Sequence, residues 1–190
     1  MRTVVFDAMG VLYTSADDVT AELIPYLREA NSPLSDNDIT HLYHEASLGR
    51  LTSAQFWDAC GVSGDDELYC TRHSLVPGMI TLLKDLVAQK VPLACLSNDV
   101  SEWSRILRQR FHLDEYIDTW VISGEIRTRK PSEEAFTVLM ETIDTPPGQI
   151  IFFDDRPNNV AAANNLGIDA IDFIGVPEAR DCLRQRGIEV

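Results

Sequence analysis

The sequence contains few cysteines, and their spacing excludes two common devices for holding a fold together. Cys60, Cys70, Cys95 and Cys182 lie far apart and form no CxxC pair, so the ligand spacing of a zinc site is absent. A disulfide framework is not expected either, because such frameworks serve chains too short to bury an adequate core, and this chain has 190 residues. We interpret the thiols as free and buried.

Basic residues and long apolar runs are also scarce. The chain has 16 Lys and Arg against 30 Asp and Glu, a formal net charge of −14, which repels nucleic acid and anionic membrane surfaces. Neither is therefore expected as a partner. No apolar run reaches the roughly 20 residues of a membrane-spanning helix, and no signal peptide is recognisable. We expect a soluble, cytoplasmic protein.

Two kinds of segment alternate along most of the chain. Short apolar runs, typical of strands covered on both faces, lie at residues 3–6, 93–96, 120–122, 150–153 and 170–173. Helix-like segments separate the later runs at residues 79–89, 102–110, 133–143, 158–165 and 178–186. This alternation predicts an α/β fold: a doubly wound, Rossmann-like parallel sheet in three α/β/α layers, with its first strand central.

Residues 14–77 interrupt the alternation. They contain no convincing strand but four helix-start signatures, in which Ser or Thr is followed three residues later by Asp or Gln. The signatures are Ser15/Asp18, Ser35/Asp38, Thr52/Gln55 and Ser63/Asp66. We predict a helical insertion at residues 14–77 and an α/β core formed by residues 1–13 and 78–190. Pro25 is expected to kink or shorten the first inserted helix.

Four polar motifs follow predicted strands, at the edge where open α/β sheets hold their sites. In chain order they are Asp7 with Met9, Ser97-Asn98, Arg129-Lys130-Pro131 and Asp154-Asp155. Adjacent carboxylates at a buried strand end repel each other unless one is protonated or a cation lies beside them. Mg²⁺ suits such a place, because it prefers oxygen ligands and needs only one or two carboxylates besides substrate phosphate.

These residue types predict a metal-assisted phosphoryl site. Asp7 can complete a Mg²⁺ site with Asp154-Asp155, and Lys130 can neutralise a bound phosphate. Ser97-Asn98 offers a hydroxyl and an amide as hydrogen-bond donors. An aspartate that faces a metal-bound phosphoryl group can attack it and form an aspartyl phosphate.

With these motifs the chain resembles the haloacid dehalogenase (HAD) superfamily of hydrolases, in the group with a helical cap inserted after the first motif. The motifs are FDAMGVLY (6–13), LSND (96–99), RKP (129–131) and FFDDRPNNVAAANNLG (152–167). The segment GRLTSAQFW (49–57) is similar to a cap segment in one branch of the superfamily. That branch holds α-D-glucose-1-phosphate phosphatases and the phosphatase domain of soluble epoxide hydrolase.

The resemblance implies a Mg²⁺-dependent phosphatase that acts on a small phosphorylated metabolite, with sugar phosphates favoured. Asp7 would be the nucleophile, and Lys130 would hold both the nucleophile and the phosphate. Ser97, helped by Asn98, would bind the phosphoryl oxygens. The Mg²⁺ ligands would be Asp7, the backbone carbonyl of Met9, Asp155 and, beside it, Asp154. The cap would close over the leaving group and set specificity.

Met9 departs from the family pattern. Phosphatases of the family usually carry an Asp there, which protonates the leaving alcohol and then activates water. A thioether carries no proton, and such acid–base help is worth about 10²–10⁴ in rate. Three explanations remain open: a leaving group that departs unprotonated, a substitute in the insertion (His41, His44 or Glu45), or chemistry that needs no acid.

Chemistry without an acid corresponds to a metal-independent 2-haloacid dehalogenase, because halide leaves without a proton. We favour phosphoryl chemistry, since Asp154-Asp155 would otherwise lack a compensating cation. A third hypothesis is a catalytically weak protein that binds phosphate or a partner. Retention of every other site residue argues against it.

Overall fold

A parallel sheet forms the centre of the chain in the computed structural model, which describes residues 2–190. Its strands are β1 (Thr3–Phe6), β2 (Leu93–Ser97), β3 (Thr119–Ile122), β4 (Ile150–Asp154) and β5 (Asp169–Asp172). They lie in the order β3-β2-β1-β4-β5, and every neighbouring pair is parallel. The predicted doubly wound sheet with a central first strand is therefore confirmed. The strand order reverses at β1, which is where such sheets open a crevice.

The segment between β1 and the next core helix is helical. A π-wound turn, Val19–Leu23, leads into α1 (Ile24–Glu29), followed by α2 (Asp36–Ala46), α3 (Ser53–Ala59) and α4 (Asp66–Cys70). Within residues 14–77, all of which the structure describes, no segment joins the sheet. Pro25 lies at the start of α1. Proline has no N–H to donate to the preceding turn. The chain is π-helical before Pro25 and α-helical after it.

The helix-start signatures were partly right. Ser35 caps α2, and Thr52 forms a complete capping box with Gln55 at the start of α3. The other two signatures were wrong in detail. The Ser15 hydroxyl donates to Glu22 instead of capping a helix, and Asp65, not Ser63, caps α4.

Helices cover both faces of the sheet. They are α5 (Met79–Ala88), α6 (Ser101–Arg110), α7 (Ser123–Ile126), α8 (Glu133–Thr142), α9 (Pro157–Asn165) and α10 (Val176–Gln185). Side chains of β1 alternate between two apolar cores, because successive residues of a strand point to opposite faces. Val4 and Phe6 pack in one core with α5, α6 and α10, and Val5 packs in the other with α8 and α9. This is the predicted three-layer arrangement.

None of the helices formed by residues 2–190 combines the length and the apolar character that crossing a membrane requires.

An aromatic cluster joins the inserted helices to the core around one carboxylate. The indole nitrogens of Trp57 and Trp103 donate to Asp66 Oδ1 at 2.7 and 2.6 Å, and the Ser53 hydroxyl donates to Asp66 Oδ2 at 2.6 Å. Both indoles are almost completely buried. Asp66 therefore satisfies two buried donors that belong to different parts of the fold, α3 and α6.

Asp66→Ala is expected to lower the free energy of unfolding by about 3 kcal/mol, because buried donors lose a charged acceptor. The neighbouring Asp65→Ala is the matched control. It removes only the exposed helix cap of α4, which is worth about 1 kcal/mol. Urea unfolding of both variants measures the difference. Equal losses would show that the two indole hydrogen bonds contribute nothing beyond a cap.

Candidate active site

Asp7 directly follows the carboxyl end of β1 and remains hydrogen-bonded to the neighbouring strand β4. Its amide donates to the carbonyl of Phe153 in β4 at 2.8 Å, so its position is fixed by the sheet. Asp7 Oδ1 accepts from the amide of Ala8 at 2.6 Å and lies 2.8 Å from Lys130 Nζ. Both contacts are to Oδ1, so Oδ2 is the oxygen that can attack a ligand.

Lys130 bridges two carboxylates in the buried floor of the site. Its Nζ lies 2.8 Å from Asp7 Oδ1 and 2.7 Å from Asp154 Oδ2, and its side chain is 1% exposed. Burial alone lowers the pKa of the ammonium, but the two carboxylates outweigh burial and hold that pKa above its usual value. Burial raises the pKa of Asp7 to about 7, against the lowering effect of Lys130 and with a further rise from Asp154. The ammonium therefore stays charged, but it does not fully offset the effect of burial on Asp7, and a second cation would favour the ionised form of Asp7 further.

Asp154 is held by several donors. The side-chain amide of Asn159 donates to both carboxylate oxygens at 3.0 Å, and the amide of Arg156 donates to Oδ1 at 2.9 Å. Together with Lys130 these contacts engage both oxygens of a fully buried carboxylate. Sequence reasoning gave Asn159 no role. Its signal is its place in the first turn of α9, five residues after Asp154.

Asp155 is the carboxylate with a free oxygen. Asp155 Oδ1 is buried and has no hydrogen-bond partner among the described residues. Burial raises the pKa of Asp155 and Asp154 raises it further, while Arg156 lowers it. Gly10, with φ +77°, leaves room for this side chain, because a Cβ at Gly10 would lie 2.3 Å from Asp155 Oδ2.

The three carboxylates converge on a place that suits a divalent cation. One oxygen each of Asp7, Asp154 and Asp155 lies within 4.8 Å of the others. A hard cation takes oxygen ligands of this kind, and the unpartnered Asp155 Oδ1 is an oxygen that such an ion would satisfy. Lys130 and Asn159 already engage Asp154, so Asp7 and Asp155 are the better placed direct ligands. Their donor set fits Mg²⁺.

Ser97 and Asn98 lie at the end of β2, beside β1, but they differ in what they can offer. Ser97 Oγ is buried and has no hydrogen-bond partner among the described residues, so its hydroxyl is not engaged by another group of the protein. The Asn98 amide donates to the Lys130 carbonyl, and the Lys130 amide donates back to Asn98 Oδ1, both at 2.9 Å. Asn98 thus holds the loop that carries Lys130.

A cavity of about 620 Å³ opens above these groups. The core supplies Asp7, Met9 and Lys130 to its wall, and the inserted segment supplies other side chains: Asp17, Asp18, Val19, Thr20, Thr40, Tyr43 and His44. Among the described residues, His41 and Glu45 do not line the cavity, and Glu45 pairs with Arg50 at 2.8 Å. His44 is therefore the one candidate for a substitute acid, of the three named from the sequence, that reaches the cavity wall.

Fold and site together define a doubly wound α/β domain with a carboxylate–lysine cluster at the crevice of its sheet. A family model for haloacid dehalogenase-like hydrolases matches residues 1–167. The chain belongs to that family, which confirms the resemblance seen in its four motifs.

Several relatives are phosphatases. The chain is 24% identical over 95 residues to a phosphorylated carbohydrates phosphatase of Thermotoga maritima, covering 50% of this chain and 44% of the relative. It is 26% identical over 187 residues to phosphoglycolate phosphatase 1 of Pseudomonas aeruginosa, covering 88% and 67%. The chain spans about half the length of the first curated relatives that it matches.

A solved structure shares the fold over nearly the whole chain. It is a HAD family enzyme of Bacteroides thetaiotaomicron in complex with magnesium and inorganic phosphate. The TM-score is 0.72 at 20% sequence identity, covering 90% of this chain and 93% of the other.

Proposed function

We propose that this protein is a Mg²⁺-dependent phosphatase of small phosphorylated metabolites, with sugar phosphates favoured. The observation that carries the proposal is the convergence of Asp7, Asp154 and Asp155 within 4.8 Å, around a buried lysine that contacts two of them. The phosphatases among the relatives and the neighbour that binds magnesium and phosphate support it. The formal net charge of −14 repels nucleic acid, so we do not propose nucleic acid as a partner.

The reaction begins with Asp7. Its Oδ2 attacks the phosphorus atom, the bond to the ester oxygen breaks, and an aspartyl phosphate forms on Asp7. Water then attacks the same phosphorus and releases inorganic phosphate. Lys130 stays charged throughout and balances the phosphoryl oxygens, and the Ser97 hydroxyl donates a hydrogen bond to them.

A bound Mg²⁺ would neutralise the phosphoryl oxygens and favour the ionised form of Asp7. Asp7 and Asp155 would hold the ion directly, with the carbonyl of Met9 as a further ligand. Asp154 would stay in its contacts with Lys130 and Asn159, beside the ion.

The helical segment over residues 14–77 would act as a cap that shapes the substrate cavity. The Tyr43 hydroxyl donates to the carbonyl of Asn98 at 3.2 Å, and Arg156 donates to the carbonyl of Ala16 at 2.9 Å. These bonds tie the segment to the core on two sides of the cavity. Arg129 lies over the Tyr43 ring, 5.7 Å from its centroid. Arg129 and Arg156 also line the cavity, and their positive charges would favour an anionic substrate there.

Release of inorganic phosphate from a panel of phosphorylated metabolites tests the proposal. We expect activity with added Mg²⁺, loss of activity with EDTA, and full recovery when Mg²⁺ is restored. The Lys130 ammonium alone cannot balance the three carboxylates together with a phosphate dianion. The sugar phosphates of the panel should be the better substrates. Absence of phosphate release with and without metal would contradict the proposal.

One observation favours a second candidate function. With Met9, the position two residues after the nucleophile has no proton donor. A halide leaving group needs no proton. Release of halide from 2-haloacids without Mg²⁺ would support a dehalogenase instead. A folded protein inactive in both assays would support a phosphate-binding or partner-binding role.

A further inference from the structure

We propose that Asp18 is the proton donor and acceptor that this chain uses in place of a carboxylate at position 9. The inference rests on the proposed phosphatase function and adds a catalytic residue to it. Asp18 directly precedes the π-wound turn Val19–Leu23, and its side chain lines the same cavity as Asp7 and Met9. The Ser15/Asp18 signature had suggested only a helix-start acid.

Asp18 is buried in a way that a structural carboxylate seldom is. The residue is 4% exposed, and its Oδ2 is buried without any hydrogen-bond partner in the described chain. Leaving a buried carboxylate oxygen unpaired is costly, and contact with a substrate in the cavity would remove that cost. Because Asp18 lines the cavity, an oxygen that no other protein group engages is free to hold a proton for a ligand.

The groups around Asp18 bring its titration close to neutral pH. Burial raises the pKa of Asp18 to about 6, the Asp17 carboxylate adds to the rise, and Arg156 lowers it, as do backbone amides of the turn. The titratable and charged groups that face Asp18 are Asp17, Arg156, Asp99, Tyr43 and Tyr69. Burial holds the pKa of both tyrosines well above the usual value, so both stay neutral. Asp18 can therefore both give and take a proton near pH 6.

Other acids near the cavity are less well placed. Burial raises the pKa of Asp99 as well, but Asp99 is not among the described residues that line the cavity. The His44 side chain lines the cavity but is 53% exposed to solvent. Asp17 also lines the cavity, but it is exposed and its carboxylate accepts from the amide of Thr20 at 3.3 Å.

The proton returns to Asp18 at the end of the cycle. As Asp7 bonds to phosphorus, the electron pair of the breaking P–O bond passes to the ester oxygen, which takes the proton from Asp18 Oδ2. The Asp18 carboxylate then takes a proton from the water whose oxygen bonds to phosphorus, and the bond to Asp7 breaks. The sum is ester and water in, alcohol and phosphate out.

Asp18→Asn tests the inference with Asp172→Asn as its control, because Asp172 is exposed at the end of β5 and is not among the described residues that line the cavity. With an alkyl phosphate and Mg²⁺ we expect kcat of Asp18→Asn to fall by about 10²-fold or more, and kcat of Asp172→Asn to stay close to wild type. With p-nitrophenyl phosphate, whose leaving group needs no proton, Asp18→Asn should release a burst of nitrophenolate equal to the enzyme concentration. Slow turnover should follow, because only the water step still needs a base.

The pH profile and a rescue variant separate catalysis from folding. In the wild type, kcat for the alkyl phosphate should fall as the pH rises above about 6, and Asp18→Asn should lose that limb. Met9→Asp should restore activity strongly in the Asp18→Asn background, while the wild type gains little from the same change. A large gain in the wild type, or none in the double variant, would overturn the inference.

Other outcomes are equally decisive. An equal loss on both phosphates without a burst would show that Asp18 acts only through the fold. Unchanged kcat on the alkyl phosphate would show that Asp18 takes no part. Leaving-group dependence in His44→Asn instead would place the acid in α2. An inactive wild type would refute the proposed phosphatase function itself. An active wild type whose kcat does not change in Asp18→Asn would refute only the role of Asp18.

Discussion

Asp7→Asn is expected to abolish turnover, with a loss of about 10⁴-fold or more in kcat. The amide oxygen of asparagine is too weak a nucleophile to form a covalent phosphate, so the burst with p-nitrophenyl phosphate should vanish as well. The substitution keeps the size of the side chain and an oxygen for the Ala8 amide. Lys130 keeps Asp154 as a partner, so the variant should fold. Phosphate release under saturating Mg²⁺, together with circular dichroism, measures both effects.

Asp172→Asn provides the matched control for Asp7→Asn. Asp172 ends β5 in register with Asp154, but it is exposed and has no part in the carboxylate cluster. Its replacement should leave kcat unchanged. Phosphate release by Asp7→Asn at a rate near that of the wild type would show that Asp7 is not the nucleophile. An aspartyl phosphate mechanism would then be wrong, even if the metal requirement held.

The sheet could be predicted because the apolar composition of a strand such as β1 matches its burial. Val4, Val5 and Phe6 are completely buried, so β1 carries no polar alternation and appears in the sequence as a short apolar run. In a parallel sheet the polar residues that follow such runs meet at one edge. The placement of Asp7 next to Ser97 and Asp154 followed from that rule alone, without any knowledge of side-chain contacts.

The contacts inside the site could not be predicted in the same way. Lys130 and Asp154 are 24 residues apart, and Asn98 and Lys130 are 32 residues apart, so no local pattern reveals their pairing. The sequence suggested that Asp154 and Asp155 need a shared cation. In the structure Lys130 and Asn159 engage Asp154, which leaves Asp155 with the free oxygen. The two adjacent carboxylates thus differ because of distant partners.

The insertion shows the same limit on a smaller scale. A Ser or Thr three residues before an acid or amide indicates a helix start only if the chain enters the helix at that residue. Ser35 and Thr52 meet that condition. At Ser15/Asp18 the chain first forms a π-helical turn, so α1 begins only at Ile24. Asp18 lies before that turn and lines the cavity. A four-residue pattern contains no information about which side of a turn faces the core.

Lys130→Met is expected to cause the largest loss of stability of any single substitution in the site, about 3–5 kcal/mol at pH 8. The methionine fills similar space, but it leaves the Asp7 and Asp154 carboxylates buried without their cation. Lys130 lowers the pKa of Asp7, so without the ammonium the Asp7 carboxyl should hold its proton to higher pH. A carboxyl whose pKa is raised in the folded state makes its stabilising contribution at low pH and loses it as the pH rises. The loss should therefore be smaller at pH 5 than at pH 8, and Mg²⁺ should recover part of it, because an ion bound only to the folded state stabilises that state.

Urea unfolding at both pH values, with Mg²⁺ and with EDTA, measures these effects. Lys130→Arg, which keeps the charge, is the control and should lose much less. A loss that is equal at both pH values and insensitive to Mg²⁺ would mean that Lys130 contributes packing rather than charge, and the electrostatic account of the carboxylate cluster would then be wrong.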